Sequence, residues 1–410
     1  MIRYTDGTDV LQLIGENPDD HRDLQPAVHR SVDGGLRPGR YRRTPRHRGG
    51  QFAPADQASL TVAVIIPAHN EQDGLGDTIA SILTQTRPAD QLIVVDDGST
   101  DNTTQVARSF GPRVTLVQPP ANLGSKARAQ NFGLTFARTD LVLPVDADTV
   151  LADDYIERVV PVFDDPRVMI AAGAVRTRHQ RTVWEQGREI EYLFGFHWFR
   201  PVQNALGSPT VCSGCCTVFD RAWLSGFGGF PERTMVEDID ATWSAQLQGH
   251  RALYVADAVA YAAEPTSAKY LSVQLRRWKS GWFQNVRLHY PSMLRRKPLL
   301  ALWVGLSLFE ILIAPLMVVF PIVWIAFMGK PAWLVAAWWF GGELVTLAPP
   351  LAYAAVKRRI NPLRMLTYYP SFYVLKMFNA YHDYRALLVE MIAVPLGLSA
   401  GLTTYHKGRA

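Results

Sequence analysis

Between residues 61 and 146 four apolar runs recur: TVAVIIP (61–67), QLIVVD (91–96), VTLVQ (114–118) and LVLPVD (141–146). The stretches between them, about 73–85, onward from Asp101, and 124–137, have helical character. Apolar strands alternating with helices build βαβ units, and runs with no polar alternation are strands buried on both faces. The expected fold class is therefore α/β, with a mostly parallel sheet and flanking helices. Sheets of that kind bind ligands beyond the carboxyl ends of their strands. Three polar turns fall there: PAHNEQ (67–72), DDGST (96–100) and VDADT (145–149). Asp96 and Asp97 followed by Gly98, Ser99 and Thr100 fit a plain turn or helix cap; they fit a ligand site equally well. The GLG at 74–76 lacks the third glycine of a dinucleotide fingerprint, which argues against a nicotinamide enzyme.

At 410 residues the chain exceeds one ordinary core, so two or three units are expected. Residues 1–58 hold the run RPGRYRRTPRHRGG (37–50), which cannot bury a core and predicts a disordered basic tail. No signal peptide is expected there, and the Asp and Glu residues of the first 23 positions speak against a transit peptide. The net charge of +5 is not gathered into a nucleic-acid recognition motif; anionic headgroups and a phosphorylated substrate account for it. Cys212, Cys215 and Cys216 lie within five positions, which suits neither a disulfide framework nor a zinc site.

After Pro298 the composition turns lipid-like. Residues 299–328 carry one charge, Glu310, and residues 332–356 carry one, Glu343. About 20 helical residues cross a hydrocarbon core of about 30 Å, so each run is long enough. A weaker third segment, 386–404, carries Glu390. Pro315, Pro321, Pro349 and Pro350 predict kinked helices. Arg295, Arg296 and Lys297 before the first run, and Lys357, Arg358, Arg359 and Arg364 after the second, place both flanks in the cytoplasm. The expectation is a multi-pass protein of the cell (plasma or inner) membrane with a cytoplasmic α/β domain. It divides as a tail (1–58), an α/β domain (59–268), an amphipathic interfacial helix region (269–297) and transmembrane helices (298–410).

Asp146 and Asp148 are two apart, and on an extended strand they face one way. Hard carboxylate oxygens in small number suit Mg²⁺ or Mn²⁺ shared with substrate phosphates. Gln274, Arg277 and Trp278 fall at i, i+3 and i+4, one face of a helix. Arg277 can pair with diphosphate oxygens and Trp278 offers a flat surface to a sugar ring. Leu271, Leu275, Trp278, Trp282 and Val286 also form the apolar stripe of a helix lying at a membrane interface.

Taken in order, PAHNE, VVDDGSTDNT, NLGSKARAQN (122–131), VDADT, VEDID (236–240) and QLRRW (274–278) resemble the motifs of GT-A glycosyltransferases of family 2, over nearly the whole chain from residue 62. The QxxRW element with trailing apolar segments resembles the processive synthases of cellulose, hyaluronan and poly-N-acetylglucosamine. REIEYLFGF (188–196), EDIDATWSAQLQGH (237–250) and EPTS (264–267) look most like the poly-N-acetylglucosamine branch. The resemblance implies a Rossmann-like GT-A sheet and a set of roles. Asp96 and Asp97 would hold uracil and ribose, with Pro67, His69 and Glu71 lining the nucleotide pocket. Lys126 would approach the nucleotide; Asp148 would bind the metal with Asp146 beside it. Asp238 would be the general base, next to Glu237. Gly214, in SGCCTVF (213–219), would leave room for the acceptor; His197, Trp198 and Phe199 would either touch the acceptor or, the preferred reading, pack under the sheet. Val236 stands where many members have Thr.

The implied function is inverting transfer from a UDP-sugar, preferably UDP-N-acetylglucosamine, to the growing end of a β-linked polysaccharide. The alternative is addition of a single sugar to a lipid carrier or glycolipid. Implied partners are the UDP-sugar, a polysaccharide or glycolipid acceptor, membrane lipids and accessory membrane subunits, with no nucleic acid.

Overall fold

The computed structural model describes residues 60–329, 331–357 and 360–402; the tail expected over 1–58 lies outside the described residues. The predicted alternation forms as β1 (Val62–Ala68), α1 (Leu75–Leu83), β2 (Gln91–Asp96), α2 (Thr103–Ser109), β3 (Thr115–Val117), α3 (Lys126–Leu134) and β4 (Leu141–Pro144). Period-two geometry splits β1 between two cores. Val62, Val64 and Ile66 pack with Leu75, Ile79 and Ile82 of α1, whereas Ala63 and Ile65 pack with Ile93, Val95 and Ala129 on the α3 side. Gly133 lets α3 close on the sheet: a Cβ there would stand 2.7 Å from Ile65 Cγ2 and 2.8 Å from Val95 Cγ2.

The chain continues through β5 (Thr149–Leu151), α4 (Tyr155–Val159), β6 (Val168–Thr177), α5 (Val183–Phe194), α6 (Arg200–Ala205), β7 (Thr217–Asp220), α7 (Arg221–Phe227), α8 (Glu237–Leu247) and β8 (Arg251–Ala262). The eight strands form one sheet in the order β3-β2-β1-β4-β7-β6-β8-β5. The expected mostly parallel sheet forms, with two reversed strands that make it mixed. β1 pairs in parallel with β2 and β4, β2 with β3, and β6 with β8, but β7 runs antiparallel to β4 and β6, and β5 to β8. The reversal has a use. An antiparallel strand starts at the edge where its parallel neighbours end, so the residues leading into β7 are delivered beside the tips of β1, β2 and β4.

The remaining elements are helical: α9 (Ala268–Arg296), α10 (Pro298–Met328), α11 (Ala332–Lys357), α12 (Pro362–Thr367) and α13 (Tyr369–Ala386), then a π-helical turn at Leu387–Ala393. The two expected apolar runs coincide with α10 and α11. The third, 386–404, is not one helix, because regular α-structure stops at Ala386. Among the described residues no helix is long and apolar enough to cross a membrane.

The apolar stripe of α9 meets protein: Leu271 and Leu275 pack on Leu375 of α13, and Val286 on Ile239 and Trp243 of α8. The aromatic cluster after α5 does not pack under the sheet as expected. Trp198 stands edge-on to Tyr353 of α11 and Phe199 to Trp303 of α10, and of His197, Trp198 and Phe199 only the histidine is buried.

Candidate active site

The carboxyl ends of β1, β2, β4 and β8 open into one cavity of about 1010 Å³, closed on the far side by α5, α9 and α13. Two adjacent carboxylates at the tip of β2 go to opposite sides of its wall. Asp96 ends the strand and is spent on structure: its Oδ1 accepts the Ser99 N–H at 3.0 Å, and its Oδ2 accepts from Gln118 Nε2 at 3.1 Å and from the Thr104 hydroxyl. It does not line the cavity, and neither does buried Glu71, whose carbonyl accepts the N–H of Gly74 and Leu75 at the head of α1. Asp96 braces the turn that carries Asp97, and Glu71 lies directly behind the cavity wall. Asp97 does line the cavity. The Leu123 N–H donates to its Oδ1 at 2.7 Å, its carbonyl accepts from Asn122 Nδ2 at 2.7 Å, and His69 Nδ1 lies 2.9 Å from that carbonyl.

Pro67, His69, Asp97, Lys126, Asp146, Asp148, Gly214, Glu237, Asp238, Gln274, Arg277 and Trp278 all border this one cavity. Asp146 and Asp148 do so from a turn, since β4 stops at Pro144; the strand alternation expected to align them does not apply. Lys126, placed at the first position of α3 by the Ser125 cap, reaches Asp146 Oδ1 at 2.6 Å, Glu237 Oε1 at 3.4 Å and the Gly214 carbonyl at 3.3 Å. The Gly214 N–H donates to Asp238 Oδ2 at 2.7 Å, and the Ile239 N–H to Asp238 Oδ1 at 2.8 Å. Burial, then the Glu237 charge alongside, pushes the Asp238 carboxyl up to about 6 against the pull of Lys126 and these two amides.

Asp146 and Asp148 fit a divalent cation held jointly with substrate phosphates, which is how Mg²⁺ is commonly bound. One oxygen of Asp146 already faces Lys126, and among the described residues no group of three or more His, Cys, Asp or Glu is arranged to hold an ion. The donor set therefore suits a cation that arrives with its nucleotide rather than a protein-only cage.

The helical wall holds residues to which the sequence reading gave no role. Arg188 of α5 is buried, with its Nη1 2.5 Å from Glu191 Oε2, its Nε 3.4 Å from Glu264 Oε2, and its guanidinium 5.3 Å over the Trp278 ring. One face of Trp278 is thus taken by Arg188. Burial pushes the Glu264 carboxyl up to about 7, with the Arg188 charge opposing. From α13 come Lys376, Asn379 and Asp383, the last paired with Lys279 at 2.9 Å. Their three- and four-residue spacing on a helix was the available signal. Gln274 Oε1 is buried and has no hydrogen-bond partner among the described residues, as expected of a group awaiting a ligand. The three cysteines are free thiols, and burial pushes Cys212 up to about 12.

A curled mixed sheet that gathers acidic turns, a lysine and a helical QxxRW face around one cavity is a GT-A-like arrangement. Residues 63–227 match the glycosyl transferase family 2 profile. The chain is 27% identical over 241 residues to a poly-beta-1,6-N-acetyl-D-glucosamine synthase of Staphylococcus epidermidis, covering 58% of this chain and 58% of that protein. It is 31% identical over 271 residues to an N-acetylglucosaminyltransferase of Rhizobium meliloti (strain 1021), covering 62% and 63%. The chain thus matches less than two thirds of the length of these relatives. A mannosyltransferase of Pyrobaculum calidifontis, solved in complex with GDP-Man and Mn2+, superposes with a TM-score of 0.57 at 24% identity over 74% of this chain and 88% of that one. At that identity the likeness is one of fold.

Proposed function

We propose that the chain is an inverting glycosyltransferase that moves a sugar from a UDP-sugar, preferentially UDP-N-acetylglucosamine, to the growing end of a β-linked polysaccharide. The observation that carries this reading is Asp238: a carboxylate with both oxygens anchored by backbone amides, on the same cavity as Asp97, Lys126, Asp146 and Asp148. The preference for N-acetylglucosamine rests on the two relatives, whose names carry that sugar.

With its carboxyl at about 6, Asp238 is mostly ionised at neutral pH yet retains proton affinity, the balance a general base needs. It accepts the proton of the acceptor hydroxyl as that oxygen bonds to the anomeric carbon. The bond from that carbon to the diphosphate oxygen breaks, and its electron pair leaves with UDP. A single displacement inverts the anomeric centre, so no second carboxylate is needed as nucleophile. Lys126 and Arg277 bring positive charge to the diphosphate side, and Asp97 stands where the nucleoside enters. A divalent cation bound with Asp146 and Asp148 would supply further charge neutralisation at the diphosphate.

Membrane attachment belongs to the same proposal. Phe309 and Leu312 of α10 are 60% and 55% exposed, and Val345 and Val356 of α11 are 72% and 73% exposed, apolar surface that suits a bilayer better than water. The catalytic domain would then lie on the cytoplasmic side of the cell membrane.

Membranes containing the chain, supplied with radiolabelled UDP-sugars and Mg²⁺ or Mn²⁺, are expected to yield a long polymer from UDP-N-acetylglucosamine. A product carrying one added sugar would replace polymer synthesis with single addition. No transfer from any UDP-sugar would overturn the proposal.

A further inference from the structure

Helix α9 has a second polar face, turned away from the large cavity. Gln274, Arg277 and Trp278 look into that cavity, whereas Arg276 and Ser280 line a separate pocket of about 120 Å³ between α9, the end of α13 and the segment 399–402. A pocket of that size has room for several waters and so for one phosphate-sized group. Its other lining residues include His382, Arg385 and Ser399. Arg276 and Arg385 make no ion pair or hydrogen bond among the described residues. His382 is only 3% exposed; its Nε2 lies 3.1 Å from the Ser272 hydroxyl, and its Nδ1 has no hydrogen-bond partner among the described residues. The nearby carboxylates are engaged elsewhere. Glu390 Oε1 accepts from Gln284 Nε2 at 3.1 Å and from the Leu402 N–H at 3.2 Å, and Asp383 is paired with Lys279.

Two guanidiniums without anionic partners, a buried imidazole nitrogen without a partner and two hydroxyls around one small hollow form a set of donors and positive charge lacking its counter-ion. Arginine forks are suited to phosphate oxygens, and buried polar nitrogens ordinarily have a partner. We infer that this pocket binds a phosphate group, presented either by an anionic phospholipid headgroup or as a free phosphate. The site is independent of the transfer chemistry proposed above: it shares α9 and α13 with the active cavity but none of its lining residues.

The test is equilibrium binding to the full chain in a neutral detergent. The probes are dioctanoyl phosphatidylglycerol, dioctanoyl phosphatidylcholine and inorganic phosphate at fixed ionic strength. They are applied to the parent, to an Arg276→Gln/Arg385→Gln variant and to Ser399→Leu, which fills the pocket without removing charge. Charge-assisted hydrogen bonds contribute enough that losing both guanidiniums should weaken binding at least about tenfold. Tighter binding of phosphatidylglycerol than of phosphate or phosphatidylcholine, lost in both variants, supports a lipid headgroup site. Phosphate bound as well as phosphatidylglycerol, again lost in both variants, supports a soluble ligand. Absence of binding by either anion, or binding that survives in either variant, overturns the inference.

Discussion

The two halves of the active cavity are built by different means. On the sheet side, Asp97, Asp146 and Asp148 sit in turns of a few residues, and the backbone amide of Leu123 fixes Asp97. On the helical side, Arg188, Glu264, Trp278 and Asn379 come from four segments spread over nearly 200 residues and are held by long side chains on one another. The sheet side is a rigid platform whose geometry follows from strand ends, while the helical side depends on tertiary packing. Variants on the first should therefore act on chemistry and donor binding, and variants on the second on stability and acceptor handling.

The largest expected effect is at the seam between them. Asp238→Asn should lower turnover by about 10²–10⁴-fold, the usual contribution of a general base, with UDP binding nearly unchanged. In the parent, the rate should fall about tenfold per pH unit below about 6, where Asp238 becomes protonated. Near-parental turnover of the variant in a radiolabel transfer assay would dissolve the seam altogether.

On the helical side, Arg188→Met should destabilise the fold by about 1–2 kcal/mol more at pH 8 than at pH 5, because it leaves Glu264 buried without its cation. Protonation of Glu264 at pH 8, one unit above about 7, caps that cost near about 1.4 kcal/mol. The sign follows from Glu264, whose folded carboxyl at about 7 lies above its unfolded value. Its contribution is full at low pH and is lost as pH rises through about 7. Removing Arg188 worsens only the ionised form, so the difference between variant and parent should shrink toward pH 5. Denaturant melts at both pH values measure it; a pH-independent difference would show that packing, not charge, dominates there.

Asp96→Ala should cost about 1–3 kcal/mol by stranding the Ser99 N–H and its other donors. The KM for the donor should change less than about threefold, a binding effect well under 1.4 kcal/mol. A large KM effect would move Asp96 into the nucleotide site. The smallest effect is expected at the rim, where Asn379→Ala should shift acceptor KM by about fivefold or less, the size of one neutral hydrogen bond; a change in donor KM instead would break the division between the halves.

This same division explains what could be read from the chain. β2 was expected at 91–96 and spans those residues, and β1, β4 and the intervening helices lie close to their predicted positions, because apolar strands ending in polar turns are local patterns. The reversal of β7 was not visible, since strand direction is decided by partners distant in sequence. Asp96 and Asp97 look alike in VVDDGST, yet one faces a hydroxyl and an amide inside the wall and the other the cavity; one residue along a strand changes the face. The Arg188–Glu264 pair spans 76 positions and has no local signature.

The backbone of residue 214 braces two side chains of the cavity through its two flanking peptide units. Its N–H holds the Asp238 carboxylate, proposed above as the base, and its carbonyl holds the Lys126 ammonium, while a methyl group added there would stand 3.2 Å from the Asp238 side chain. Under the proposed roles, acid–base tuning and leaving-group stabilisation are mechanically yoked. Any shift in the strip that precedes β7 would retune both together, leaving neither free to drift alone.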